Sequence, residues 1–358
     1  MTAPVATLSH LDGGVLDRVL GAVLVLDLDA DYWERQGAMM ALLRSDHPRG
    51  EEIVRLWLDR AVATQTSDGR LCYGATTNLS FGAFRVMDVA IMRQFVRTAS
   101  VSAYFAHPLV MLYERTGEDR WLTAAERQVE AMLAGPRTSE GFLLMNGAAP
   151  EIWIDELYPV CGVLARLGRV RARRELTDEA YRHLLLAHRR LLDAGEGLLR
   201  HVWLERPNSF PESTFWSRGN GWFLCAAAEV LAEAPEHPDA PAVREMLAGV
   251  LDSYLRLQDD TGFFHDFLDD PGTPLEASGT LMFAYAVGLA AEHDQYLPAA
   301  VRALDAVAGI VPADGTIGRT VLPPGGPGVP LGSMVLGQSF FLLAAHHLRD
   351  ATGIPLTG

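Results

Sequence analysis

Apolar residues recur along most of this chain at three- and four-residue spacing, which is the period of an amphipathic helix. A long alternation of apolar and polar residues is absent, and only short β segments are expected, around residues 198–203 and 263–268. The pattern therefore predicts an all-α protein. The predicted helices cover residues 51–64, 101–116, 119–134, 155–167, 178–193, 221–234, 241–258, 278–292, 298–310 and 333–349.

A glycine-centred turn recurs between these helices at intervals of 72, 56, 65 and 53 residues. Each turn follows one predicted helix and leads through a loop into another. Repeats of this length, with one helical hairpin each, indicate a closed ring of hairpins or an open α-solenoid. We favour the ring, an (α/α)6 barrel, because the loops after the turns carry aromatic residues that suit a lined pocket. The turns are centred on Gly69, Gly141, Gly197, Gly262 and Gly315.

The 358 residues contain no low-complexity tract, and no linker rich in serine, glycine and proline divides them. The sequence therefore predicts one domain over residues 1–358, in which residues 1–45 form a lead-in and the first helix. A net charge of −15 without a basic stripe argues against nucleic acid as a partner. This net charge does not exclude an anionic small molecule as substrate, because one arginine in a binding site can outweigh the negative potential of distant acidic residues.

The cysteines Cys72, Cys161 and Cys225 are far apart and lack metal-ligand spacing, so reduced thiols are expected. The first ten residues lack the basic region and cleavage site of a secretion signal. The apolar segment 15–28 is interrupted by charged residues and is too short to span a bilayer. We therefore expect a cytoplasmic protein without a membrane partner.

The densest group of aromatic and charged residues lies at 215–223, where a loop enters a predicted helix. Trp216 and Trp222 flank Arg218 and Asn220 there. A helix N-terminus beside an arginine favours an anion, and indole faces are good platforms for sugar rings. The same pattern is equally typical of a turn capped by core tryptophans.

Asp155 begins a predicted helix two residues after Trp153. The commoner role of an aspartate at this place is that of an N-cap. The functional alternative is a proton donor, because desolvation beside an indole raises the pKa of a carboxyl group.

Two histidines follow glycine turns. His201 comes directly after the Gly197 turn, on the loop side of the presumed ring, although a lone histidine is usually structural. His265 and the adjacent Asp266 come after the Gly262 turn. That pair indicates a metal site only weakly, since a third ligand is missing.

Four segments occur in a characteristic order: Trp-Ile-Asp-Glu-Leu-Tyr at 153–158, Gly-Leu-Leu-Arg-His-Val-Trp at 197–203, Trp-Ser-Arg-Gly-Asn-Gly-Trp at 216–222, and Leu-Asp-Asp-Pro leading to Leu-Glu-Ala-Ser at 268–278. Together they resemble the unsaturated glucuronyl and rhamnogalacturonyl hydrolases of glycoside hydrolase families 88 and 105, the second more closely. The Trp-x-Arg-Gly-Asn-Gly-Trp motif is fairly specific. The resemblance covers roughly residues 100–350 and is weakest before residue 100.

The resemblance implies an (α/α)6 barrel that acts on unsaturated uronyl sugars and requires no metal or organic cofactor. In these enzymes an aspartic acid protonates C4 of a 4,5-unsaturated uronic acid and helps water add at C5, after which the ring opens and the aglycone sugar leaves. Asp155 matches the proton donor and His201 the active-site histidine. The matching substrate-binding positions are Trp153, Trp216, Arg218, Asn220 and Trp222.

The chain departs from the family in two places. The family has a second aspartate before the helix that ends near Thr116, whereas residues 99–107 contain no carboxylate and Asp88 is the nearest upstream acid. The family also places a histidine after the second glycine turn, where this chain has Gly-Phe-Leu-Leu-Met at 141–145. Tyr104 and His107 are candidates to line the pit instead.

These observations support three hypotheses. The first is a hydrolase of unsaturated uronyl oligosaccharides. The second is a repurposed barrel that acts as a hydratase, isomerase or cyclase on a less polar alkene or enol ether, which the apolar residues 143–145 and 99–105 favour. The third is a ligand-binding or scaffold protein, against which the joint presence of Asp155, His201 and Arg218 argues.

Overall fold

The computed structural model describes residues 9–26, 34–71, 103–145, 149–290, 294–323 and 325–353. Asp88, Cys72 and residues 99–102 lie outside this part of the chain. The described α-helices, in chain order, are α1 (Gly13–Leu24), α2 (Arg35–Arg44), α3 (Pro48–Ala63), α4 (Ala106–Thr116), α5 (Asp119–Leu133), α6 (Leu157–Arg171), α7 (Arg174–Leu191), α8 (Ser217–Glu233), α9 (Ala240–Leu257), α10 (Ala277–Leu289), α11 (Leu297–Ala308) and α12 (Val335–Thr352).

The even-numbered helices form a closed inner ring. Helix α2 packs against α4, the contact continues through α6, α8 and α10 to α12, and α12 packs back against α2. The odd-numbered helices lie outside, where α3, α5, α7, α9 and α11 each pack against the inner helix that precedes them and α1 packs against α12 and α2. The fold is therefore an (α/α)6 barrel, as predicted, and not an open solenoid.

All ten predicted helices are present, with ends that differ by a few residues. Helices α1 and α2 are the two that the pattern did not delimit, and both fall within residues 1–45, where one helix was expected. Helix α2 is buried continuously from Arg35 to Leu43 because it lies in the inner ring. A helix that is covered on every side has no amphipathic period, so the apolar pattern could not reveal it.

The five glycine turns follow the outer helices α3, α5, α7, α9 and α11, and all five glycines have positive φ, between 69° and 100°. Each turn also packs closely against the next outer helix. A Cβ on Gly69 would lie 2.4 Å from the carbonyl oxygen of Arg127 in α5, and one on Gly315 would lie 2.0 Å from that of Arg18 in α1. The last turn thus closes the ring on the first helix, and only glycine satisfies both the dihedral angle and the space.

The connections between outer and inner helices carry short strands. Strands β1 (Glu151–Trp153), β4 (Val202–Leu204) and β5 (Ser209–Glu212) form an antiparallel three-stranded sheet. The remaining two-stranded sheets pair β2 (Leu192–Asp193) with β3 (Leu198–Leu199), β6 (Phe264–His265) with β7 (Leu275–Glu276), and β8 (Thr320–Val321) with β9 (Leu331–Gly332). Because every such connection enters an inner helix, the strands gather at the end of the barrel where the inner helices begin.

Cys161 and Cys225 are buried free thiols, and burial raises the pKa of each well above its usual value. Such thiols are poor nucleophiles and metal ligands at neutral pH. In the part of the chain that the structure describes, no helix has both the length and the apolarity to cross a bilayer.

Candidate active site

Asp155 and His201 lie side by side at the mouth of the barrel. Asp155 is in the 3-10 turn Ile154–Glu156 that starts α6, and His201 directly precedes β4. Strand pairing sets Trp153 opposite Val202, and the Ile154 N–H donates to the carbonyl oxygen of His201 at 3.1 Å. This register brings His201 Nε2 to 2.9 Å from Asp155 Oδ2. The two residues predicted to be catalytic are therefore hydrogen-bonded, although 46 positions separate them.

The imidazole of His201 is held between two indoles. Its ring centroid lies 5.4 Å from that of Trp153, edge to face, and 4.8 Å from that of Trp216. His201 is buried, whereas the Asp155 side chain keeps 17% of its surface exposed. Packing on both sides fixes the orientation of the histidine, and the partner carboxyl group remains accessible from the mouth.

Arg218 is buried in the first turn of α8 and lies over the Trp216 ring, with 4.4 Å from Cζ to the ring centroid. Its Nη1 donates to Val321 O at 2.6 Å and to Ser278 Oγ at 3.2 Å. Nη2 and Nε make no hydrogen bond with the described residues. Burial lowers the pKa of Arg218, and the negative charges of Glu276 and Asp155 oppose that shift. The guanidinium group therefore has donors available to an anion near Asp155.

Several buried polar atoms of the site lack a partner among the described residues. They include the second ring nitrogen of His201, Nδ1, and the Nε1 atoms of Trp153 and Trp222. A buried polar atom without a hydrogen bond costs about 1–3 kcal/mol, so such atoms are few in folded proteins. Those of His201 and Trp153 lie beside Asp155, where a polar ligand could satisfy them.

Asn220 and Trp222 contact the protein itself. Asn220 Oδ1 accepts from Leu199 N–H and its Nδ2 donates to Leu199 O, both at 2.8 Å. Trp222 packs against Tyr158, with 5.1 Å between ring centroids, and against Phe340. The contacts of Asn220 thus fix the strand that leads to His201, and those of Trp222 lie deeper in the barrel.

The structure does not group His107 with Asp155. His107 is buried in α4, where its Nε2 lies 3.3 Å from Arg166 Nη1 and its Nδ1 lies 3.5 Å from Glu229 Oε2. Burial, and then the positive charge of Arg166, lowers the pKa of His107 well below its usual value. Tyr104 is buried in the 3-10 turn Ala103–Phe105 before α4. The interactions of His107 thus belong to a polar cluster inside the ring.

Two acids near the site were not predicted as site residues. Asp266 accepts a hydrogen bond from Trp216 Nε1 at 3.1 Å, and Glu34, at the start of α2, contributes to the negative potential at Arg218. Asp266 follows Gly262 by four positions, as His201 follows Gly197, so the repeat contained a signal for it. The sequence contained no such signal for Glu34, because α2 lacks a periodic apolar pattern. The described residues contain no cluster of three histidines, cysteines or acids that is suited to a metal ion.

A closed ring of helical hairpins whose mouth carries an Asp–His pair, an arginine and several indoles is the arrangement of a six-hairpin glycosidase. The chain belongs to glycosyl hydrolase family 88, whose family model matches residues 90–348. This match confirms the family resemblance of the four motifs.

Two relatives agree with this family assignment. The chain is 30% identical to the unsaturated rhamnogalacturonyl hydrolase YesR of Bacillus subtilis over 221 residues, which cover 60% of this chain and 64% of that protein. It is 28% identical to the unsaturated 3S-rhamnoglycuronyl hydrolase of Formosa agariphila over 184 residues, 46% of this chain and 48% of that protein. The alignments thus span less than two thirds of either relative.

Among solved structures, a possible member of the GH105 family from Salmonella enterica superposes with a TM-score of 0.79. The superposition covers 98% of this chain and all of the other, at 21% sequence identity. At this level of identity the likeness concerns the fold, and it agrees with the closed ring of inner helices.

Proposed function

We propose that the protein is a hydrolase of unsaturated uronyl oligosaccharides, of the rhamnogalacturonyl or glucuronyl type, with Asp155 as its proton donor. The proposal is carried by the 2.9 Å hydrogen bond between Asp155 Oδ2 and His201 Nε2. The Asp155 carboxyl group lies at the barrel mouth and is partly exposed. A general acid must reach the substrate on one side and a proton exchange partner on the other, and Asp155 meets both conditions.

The site suits a carboxylate substrate. Arg218 is close enough to Asp155 for the two charges to interact, and the six inner helices all begin at this end of the barrel. Helix N-termini carry partial positive charge, so their common direction supports an anion here despite the net charge of −15. Trp153 and Trp216 supply apolar ring faces that suit a pyranose.

The chemistry follows from one proton and one water molecule. Asp155 gives its proton to C4 of the C4=C5 enol ether, and the cation that forms at C5 is shared with the ring oxygen. Water adds at C5 and loses a proton to the Asp155 carboxylate, with His201 holding the hydrogen bond to Oδ2. The C5 hemiketal then opens to a ketone, and the hemiacetal left at C1 releases the aglycone as an alcohol.

The absorbance of the conjugated C4=C5 bond tests this proposal directly. Purified protein is expected to remove that absorbance from unsaturated uronyl disaccharides, and the Asp155→Asn variant is expected to lose at least about 100-fold in kcat, the lower range for general acid catalysis. Asp269→Asn, a change of the same kind at an exposed loop residue, serves as control. No absorbance loss on rhamnogalacturonyl, glucuronyl or galacturonyl disaccharides would reject the proposal.

A second candidate is an acid–base enzyme, a hydratase, isomerase or cyclase, that acts on a less polar alkene or enol ether. Met145 favours it, because this residue lies four positions after Gly141 and thus at the offset that His201 occupies after Gly197. An apolar residue at this offset reduces the polarity of one sector of the mouth. Ordered binding of a free uronate at Arg218 would argue against this candidate.

A further inference from the structure

The glycine turns place corresponding residues of different repeats at the same end of the barrel. The fourth residue after Gly197 is His201, and the fourth after Gly262 is Asp266. Both turns have positive φ, both lead into short strands, and both precede an inner helix. Asp266 is therefore the counterpart, one repeat later, of the histidine that contacts Asp155.

Both residues contact the same indole. Trp216 packs its ring against His201, with 4.8 Å between centroids, and donates its Nε1–H to Asp266 Oδ1 at 3.1 Å. Backbone pairing fixes this arrangement, since Ser217 N–H donates to Asp266 O at 2.8 Å and Leu268 N–H donates to Phe215 O at 3.0 Å. Asp266 thus lies at the first turn of α8, beside the residues that form the site.

One oxygen of Asp266 remains free for a ligand. Oδ1 is occupied by Trp216, whereas Oδ2 accepts no hydrogen bond within the described chain. The residue as a whole is 5% exposed. A largely buried carboxyl group with one oxygen free of hydrogen bonds, next to an arginine and an indole, is suited to contact a bound sugar acid.

The charges around Asp266 determine its protonation state. The charged groups that face it are Arg218 on α8 and Glu276 at the start of α10, and His201 lies across the indole. Burial raises the pKa of Asp266 to about 7, and Glu276 adds to this shift while Arg218 and the Trp216 hydrogen bond oppose it. Below pH 7 the group is therefore mostly a neutral carboxylic acid, which can donate one hydrogen bond.

We propose that Asp266 binds the substrate, and that its protonated carboxyl group donates a hydrogen bond from Oδ2 to the carboxylate of the uronic acid beside Arg218. This inference rests on the proposed function for the nature of the ligand. It supplies a second carboxyl group to the site, in a different repeat from the family aspartate that residues 99–107 lack. Ionisation of Asp266 would set two carboxylates against each other and weaken binding.

The test follows KM and kcat of the full chain between pH 5.5 and 8.5 on an unsaturated uronyl disaccharide, whose own carboxyl group stays ionised throughout. For the wild type, KM is expected to rise about tenfold per pH unit above pH 7, as for any ligand that requires one protonated group. The Asp266→Asn variant keeps a donor at every pH, so its KM should be flat. The Asp266→Ala variant should have a KM that does not change with pH and lies at least about tenfold above the wild-type value at pH 5.5, the scale of one lost hydrogen bond to a charged group.

Asp269→Asn removes a charge three residues away at an exposed position and should reproduce the wild-type profile. If KM depends on pH in the same way for Asp266→Asn and the wild type, the inference is wrong. Turnover by both proteins would still support the proposed function. If no turnover is seen, binding of free glucuronate and galacturonate is measured by calorimetric titration. Binding that weakens above pH 7 only when Asp266 is present, without turnover, would support the inference and reject the hydrolase. Neither turnover nor carboxylate binding would reject both.

Discussion

Glu229 and His107 face each other in the interior of the inner ring, with 3.5 Å between Glu229 Oε2 and His107 Nδ1. Arg166 approaches the other imidazole nitrogen, Nε2, and a guanidinium group only donates, so the histidine proton lies on Nδ1 and faces the carboxyl group. Tyr285 donates to Glu229 Oε1 at 2.8 Å. Glu229 of α8 therefore lies in one polar cluster with His107 of α4, Arg166 of α6 and Tyr285 of α10.

This cluster makes stability depend on pH. Burial raises the pKa of Glu229 to about 8 from a usual value of 4.5, although the hydrogen bond from Tyr285 and the positive charge of Arg166 lower it. The folded protein thus retains a proton that the unfolded chain releases, and the stability due to this group is complete below pH 4.5 and is lost as pH rises to about 8. The loss amounts to at most about 1.4 kcal/mol per pH unit.

We predict that Glu229→Gln removes this component, because the amide cannot ionise. The variant should lose less stability than the wild type between pH 5 and 8.5, as measured by chemical denaturation at each pH. Glu236→Gln, the same substitution at an exposed position, should follow the wild type. Parallel curves for the wild type and Glu229→Gln would show that Glu229 is already ionised in the fold.

A second prediction concerns Gly162 in α6, which gives the cluster its space. A Cβ at this position would lie 2.2 Å from Glu229 Oε2 and 3.0 Å from His107 Nδ1. Gly162→Ala should therefore destabilise the protein by about 1–3 kcal/mol, the usual cost of overpacking, despite the better helix propensity of alanine. In Gly249→Ala, on outer helix α9, the Cβ meets nothing within 4 Å, and we expect a gain of about 0.5–1 kcal/mol. Thermal unfolding of the two variants should show shifts of opposite sign.

The fold was predictable because its signal is repeated five times and is local. Each outer helix is amphipathic, and each glycine turn needs a positive φ that few other residues adopt. Motifs in the sequence singled out Asp155 and His201, yet the contact between the two side chains depends on the register of β1 and β4, which no local pattern encodes. The Glu229 cluster could not be predicted, since its members come from different inner helices and are 56 or more positions apart.

A third prediction assigns Asn220 a positioning role. Its amide pairs with both backbone groups of Leu199, two residues before His201. Asn220→Asp keeps the shape but replaces the donor Nδ2 with an oxygen that faces Leu199 O, so we expect a loss of about 1–3 kcal/mol in stability. A displaced His201 should lower kcat more than it raises KM. A KM effect alone would instead indicate that Asn220 contacts the substrate.

A fourth prediction tests the closure of the ring. Gly315 and Gly353 have similar positive φ values, 75° and 69°, so alanine is strained to a similar extent at both positions. They differ in their surroundings, because a Cβ on Gly315 would lie 2.0 Å from Arg18 O in α1, whereas one on Gly353 meets nothing within 4 Å. Gly353→Ala should therefore cost only the dihedral strain, about 1 kcal/mol. Gly315→Ala should cost clearly more and should increase hydrogen exchange in α1, because the turn must move away from the first helix. Equal losses in the two variants, with unchanged exchange in α1, would mean that the last hairpin and the first helix are not held together at this turn.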